Sequence, residues 1–135
     1  MSQDFRADLH VDTLSLLAER GGGLAPRRTD FQVDSERCQM GRIDLLGTAI
    51  FTVDGHESPW EHCLSLLEAR DRLHQDSSEP FQIVTHPEQV SDLPDGVVGM
   101  LTTIENGIAL EGEVQRLETL QHILLKGKYV FFLLL

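Results

Sequence analysis

Three residues in this sequence have the types and spacing to hold a metal ion. His10 and Asp12 stand two positions apart in Phe5-Arg6-Ala7-Asp8-Leu9-His10-Val11-Asp12, whose alternation reads as a short strand. Side chains at i and i+2 of a strand project from one face. An imidazole and a carboxylate side by side can hold a zinc-like ion and leave positions open for further ligands. Asp12 has an alternative role, as the cap of a helix beginning at Thr13. Glu105 is the third candidate. It closes an apolar run, Val97 to Ile104, and precedes Asn106-Gly107. If both runs are parallel strands, their C-terminal ends share one rim, where α/β proteins place their sites. A carboxylate with two oxygens can bridge two cations. The alternative for Glu105 is a solvated turn residue.

Other reactive residues carry weaker patterns. His56 lies in the loop Asp54-Gly55-His56-Glu57 after a strand, at the same rim, within reach of a substrate or simply as a polar loop residue. His62, His74, His86 and His122 fall on helix or loop positions and are expected at the surface. Cys38 and Cys63 are 25 residues apart with no CxxC pair, so they read as reduced thiols rather than a metal or redox site. No GxSxG, HExxH or P-loop pattern occurs. Gly21-Gly22-Gly23 lacks the strand-GxGxxG-helix setting and reads as a helix stop.

The elements that must position these residues alternate between strand and helix. Thr13 to Arg20 is a short helix ended by glycine, and residues 24–40 read as a long irregular connection. Ile43 to Val53 is the strongest strand, nearly continuously apolar in its second half, as in a strand buried on both faces of a parallel sheet. Ser58-Pro59-Trp60-Glu61 predicts a capping box with proline at the first helical position. The helix then runs to about Gln75, with Trp60, Cys63, Leu64, Leu67 and Leu73 on one face. Phe81 to Thr85 is a short extended piece and His86 to Val90 a turn of helix. Leu110 to Leu124 is a helix with Val114, Leu117, Leu120 and Leu124 on one face. Lys128 to Leu135 is a final strand. This order predicts an α/β fold with a parallel sheet.

Length and charge set the bounds. At 135 residues, the chain is a single domain able to bury roughly two-thirds of its surface, but it is short of the about 250 residues of a complete (β/α)8 barrel. Hydrophobic residues are 41% and charged residues 24%, as in folded domains. Eleven Lys+Arg against 22 Asp+Glu leave a net charge of −11, which argues against nucleic-acid partners and a basic membrane-surface helix. No run reaches the about 18 apolar residues of a membrane span, and no signal peptide opens the chain, so the expected location is cytoplasmic.

Taken together, these segments resemble the metal-dependent dipeptidase family that includes the membrane (renal) dipeptidases, within the amidohydrolase superfamily. Asp8-Leu9-His10-Val11-Asp12-Thr13-Leu14 resembles its opening His-x-Asp strand. Gln32-Val33-Asp34 through Met40-Gly41, running into Leu46-Gly47-Thr48-Ala49-Ile50-Phe51, resembles its second strand and the approach to it. Met100 to Gly107 resembles its third strand, with Glu105-Asn106 where the family has Glu-Gly, and Leu110 to Leu120 the helix after it. The likeness spans about residues 7–120.

The resemblance implies a TIM-like barrel of which residues 1–135 are the N-terminal part. It also implies a two-zinc site in which His10 and Asp12 bind one ion and Glu105 bridges both, with a metal-held hydroxide cleaving dipeptides. Family members continue into a strand ending in Thr-His and add two later histidines and an aspartate. Here the chain ends in Phe131-Phe132-Leu133-Leu134-Leu135. The expectation is therefore a truncated metallopeptidase domain of little or no activity, holding at best one zinc ion weakly. An open apolar edge would then favour self-association, as a homodimer or with a partner chain. Neither a catalytic acid or base nor a substrate-binding residue is assigned. A deaminase-type amidohydrolase, more often His-x-His on the first strand, fits Val11-Asp12 less well.

Overall fold

The computed structural model describes residues 4–76, 78–125 and 132–133. The elements are β1 (Ala7–Val11), α1 (Thr13–Arg20), α2 (Ser35–Gly41), β2 (Leu45–Phe51), α3 (Pro59–Gln75), β3 (Phe81–Ile83), α4 (Pro87–Ser91), β4 (Val98–Glu105), α5 (Val114–Leu125) and β5 (Phe132–Leu133). A 3-10 turn at Ile108–Leu110 precedes α5. All pairings are parallel, in the order β1-β2-β4-β3. Short β5 pairs the C-terminal end of β4, and β3 pairs its N-terminal half. The fold is α/β with a parallel sheet, as the alternation of elements predicts. The rest of the expected last strand lies outside the described residues.

One face of the sheet carries the helices. β2 and β4 run in register from Leu45↔Gly99 to Phe51↔Glu105. Alternation sends Leu46, Ile50, Met100 and Ile104 to the helix side, where they join Leu14 and Leu17 of α1, Cys63, Leu66, Leu67 and Leu73 of α3, and Leu120 and Leu124 of α5 in the buried core. Leu45, Gly47, Ala49 and Phe51, with Gly99, Leu101, Thr103 and Glu105, take the other face. Leu45, Ala49 and Thr103 on that face are also buried. That face is therefore covered in part. Exposed Phe5, Leu9 and Phe51 lie along β1 and at the end of β2.

Four details depart from the sequence pattern. The connection after α1 is not irregular throughout, because α2 forms within it, started by Asp34. The capping box at α3 is not made. Ser58 and Pro59 stand where expected, but the Ser58 side chain makes no cap hydrogen bond, and its N–H donates to His56 Nδ1 at 3.0 Å. α5 starts at Val114 rather than Leu110, because Glu111 and Gly112 take left-handed backbone at φ 50° and 79°. Val114 is 67% exposed rather than on the buried face, since it sits on the helix's first turn.

Asp34 organises the long connection. Its carboxylate is fully buried and accepts the Arg37 N–H at 2.8 Å and the Arg28 N–H at 3.1 Å, and pairs with the Arg37 guanidinium. Burial by itself pushes this carboxyl up. The N–H donors of Arg37 and Arg28 and the Arg37 charge outweigh it, so the pKa sits below the ordinary 3.8. Nearby, the bidentate Arg28 holds Asp30 down to about 2. A depressed carboxylate adds stability above its unfolded pKa and loses it as pH falls through the folded one. The chain is therefore expected to lose stability as pH drops from 3.8 toward about 2, followed by circular dichroism. Asp34→Ala, which removes the buried acceptor of the Arg28 and Arg37 N–H groups, is expected to cost about 2 kcal/mol in a denaturant titration at neutral pH and to reduce this acid dependence.

Cys38 and Cys63 are free and buried, and burial pushes both thiols up to about 11. Neither is a thiolate at neutral pH, so they pack as small apolar groups. No helix among the described residues is long and apolar enough to cross a membrane.

Candidate metal centre

β1 and β4 are not neighbours in the sheet; β2 lies between them. Their C-terminal ends nevertheless bring three ligand-type side chains together. His10 Nε2 stands 3.2 Å from Glu105 Oε2 and 3.6 Å from Asp12 Oδ1, and one donor atom of each residue lies within 4.8 Å of the others. Two ligands at 2.0–2.1 Å from a tetrahedral ion are about 3.3 Å apart. Both measured separations are close to that edge. The donor set, one imidazole nitrogen and two carboxylate oxygens, suits zinc and related divalent ions.

A bulge in β1 makes this convergence possible. Asp8 pairs with Leu46 and Val11 with Thr48, so β1 holds one more residue than β2 over that stretch. The extra residue reverses the alternation. Val11 drops into the core on the helix side, and His10 and Asp12 emerge on the Glu105 face. The bulging backbone passes directly over Gly47. A Cβ built there would lie 2.1 Å from the Leu9 carbonyl oxygen and 2.8 Å from Leu9 Cα. Only glycine leaves room for it.

Asp12 occupies the cap position of α1, but its side chain makes no cap hydrogen bond. Its carboxylate lies 3.6 Å from His10 Nε2 instead, so the capping role open to it from sequence is not taken. Glu105 is the least exposed of the three, 22% against 36% for His10 and 62% for Asp12. It is held by strand pairing on both sides, to Phe51 and to Leu133. Asn106 shapes the turn beyond it. Its Nδ2 donates to the Thr52 carbonyl at 3.0 Å, joining the ends of β2 and β4, and its Oδ1 accepts the Ile108 N–H at 3.1 Å. At φ 71° it takes the left-handed backbone that glycine adopts freely and asparagine tolerates. Asn106 thus keeps the turn that a glycine would make. The Asn-Gly pair after an apolar run was the sequence signal for it.

No family model matches the chain, and no curated protein matches it either.

The other histidines stay apart from this cluster. His56 and His62 stack on one another beyond the end of β2, ring centroids 4.6 Å apart, and His62 Nε2 lies 3.2 Å from the Phe51 carbonyl. Alternation alone offers no signal for that pair, because one member is in a loop and the other on a helix. His74 and His122 are exposed, as expected, whereas His62 and His86 are half-buried. Among the described residues, His10, Asp12 and Glu105 form the one His/Cys/Asp/Glu cluster with ligand atoms this close. Two carboxylates around one imidazole, in a chain of net charge −11, favour a cation at this rim.

Proposed function

We propose that His10, Asp12 and Glu105 form the metal-binding end of a metal-dependent dipeptidase, the N-terminal part of a (β/α)8 barrel with its site at the C-terminal strand ends. The observation that carries this reading is the approach of His10 Nε2 to both carboxylates at the edge length of a tetrahedral zinc site. The His-x-Asp strand and the strand-end glutamate supply the link to dipeptide hydrolysis.

His10 and Asp12 would hold a zinc ion, and Glu105 would share it while keeping a second oxygen for another ion. Bound zinc would supply an acidified water and polarise the peptide carbonyl. The chain's own part is to fix the ligands. The β1 bulge sets His10 and Asp12 on the correct face, and the Asn106 turn holds Glu105. Three ligands hold an ion weakly, so hydrolysis by the 135-residue chain alone is expected to be slight. Metal binding is the deciding measurement. Calorimetric titration with zinc is expected to show a single saturable site, removed by substitution at the three ligands. A chain that takes up no zinc, or takes it up regardless of those residues, overturns the proposal. Dipeptide cleavage well above a chelator-treated control would show that the three ligands suffice for turnover.

A second reading is a non-catalytic fragment acting through self-association. It is favoured by β1, an edge strand in the described sheet that carries the exposed side chains of Phe5 and Leu9 beside and within it. Size-exclusion chromatography separates the cases: soluble dimers that persist on dilution favour it, and a clean monomer removes it.

A further inference from the structure

A cleft of about 620 Å³ opens on the helix-bearing side of the sheet, between α3, α5 and the β3–α4 segment. Its lining includes Arg70, Asp71, His74, Gln75, Thr85 and Gln89. Arg70 also reaches Thr102, which by alternation faces away from Glu105, so this cleft and the metal centre lie on opposite faces of the sheet.

Arg70 is the unusual residue. Its side chain is only 3% exposed. Nε and Nη2 donate to Asp71 Oδ1 at 2.8 and 2.6 Å, and Nη1 to Thr102 Oγ1 at 3.4 Å. A guanidinium has five N–H groups. Nη1 and Nη2 therefore each keep one N–H without an acceptor among the described residues. Leaving buried, charged donors open is costly.

The neighbouring groups are biased the same way. His74 Nδ1 accepts the Ile83 N–H at 3.3 Å, so in the neutral ring the proton sits on Nε2, a donor. Gln89 Oε1 accepts from the Thr85 N–H at 2.7 Å, the Thr85 hydroxyl at 3.1 Å and the His86 N–H at 3.0 Å. Its amide NH2 is the group left over. Arg70, His74 and Gln89 thus bring donors in excess of acceptors. The opposing group is Asp71, 43% exposed, with one oxygen engaged by Arg70 and the other not.

We propose that this cleft binds a small metabolite through one carboxylate or phosphate group seated on the open end of the Arg70 guanidinium. The fork of Nη1 and Nη2 matches either oxyanion. The volume falls in the range of small-molecule sites. Asp71 and the net charge of −11 select against polyanions.

The test titrates the full chain with inorganic phosphate and, separately, with acetate, at constant ionic strength against chloride. Backbone amide shifts report binding. The expected result is a saturable change, with at least one of the two anions, in residues at the end of α3 and in the β3–α4 segment. Response to phosphate alone assigns a phosphate ligand, and response to acetate alone a carboxylate. Arg70→Gln is expected to weaken binding at least tenfold. Gln75→Glu, on an exposed position that leaves the core untouched, should weaken it about threefold by adding negative charge, and Asp71→Asn should tighten it by a similar factor. Glu105→Gln should leave it unchanged. No saturable response beyond chloride, or a response the same in Arg70→Gln and Gln75→Glu, overturns the proposal.

Discussion

Replacing Glu105 by glutamine is expected to weaken zinc binding at least a hundredfold, about 2.8 kcal/mol. Glutamine keeps the length and one carbonyl oxygen but removes the charge, and amide oxygen is a poor zinc ligand beside carboxylate. The strand pairings of Glu105 to Phe51 and Leu133 use the backbone, so the fold should survive and only the ligand is tested. His10→Ala should lose at least as much, because His10 Nε2 is the atom both carboxylates approach. Asp12→Asn should lose less, since at 62% exposure its interaction is the most screened by water. Calorimetric zinc titrations of the four proteins, with unfolding curves to confirm folding, check the order. Plain hydrogen bonding between the His10 ring and the carboxylates would give the same distances without a metal. In that case zinc would not bind the wild-type chain, and the three variants would differ only in stability.

Gly47→Ala should be the most damaging single-methyl change in the sheet. The new Cβ would sit 2.1 Å from the Leu9 carbonyl oxygen and 2.4 Å from its carbon. Those are backbone atoms, so no rotamer change relieves the contact. Either β1 lifts away from β2 or its bulge is lost. The expected cost is about 1–3 kcal/mol in stability. The sharper readout is metal binding. Losing the bulge returns the strand to plain alternation and turns His10 and Asp12 toward the helix side, so zinc affinity should fall although no ligand has changed. Gly107→Ala is the control, because the nearest atom to its new Cβ is Leu110 Cδ1 at 4.0 Å. It should leave both stability and zinc binding near wild type. Retained zinc affinity in folded Gly47→Ala would show that the bulge does not set the ligand face.

Much of the scaffold was legible along the chain because its signals are local. Glycine after Arg20 ends α1, proline after Ser58 opens α3, and the apolar runs around Ala49 and Met100 become the two central strands. α2 was not legible. Its start depends on a buried carboxylate, Asp34, whose partner Arg28 lies upstream in a connection without apolar periodicity. The late start of α5 was hidden for a related reason: Glu111 adopts left-handed backbone that its residue type does not announce.

The candidate site divides along the same line. Residue identity and i, i+2 spacing by themselves placed His10 and Asp12 on a common face, and the apolar run before Glu105 placed it at a strand end. Which face the first pair would take was beyond any alternation rule. That depended on one extra residue in β1, accommodated by the missing side chain of Gly47 on the neighbouring strand. Nor could spacing decide whether the Asp12 carboxylate would cap α1 or turn to His10. Both outcomes follow from contacts between segments far apart in sequence, and only the folded chain brings those segments within a few ångströms of each other.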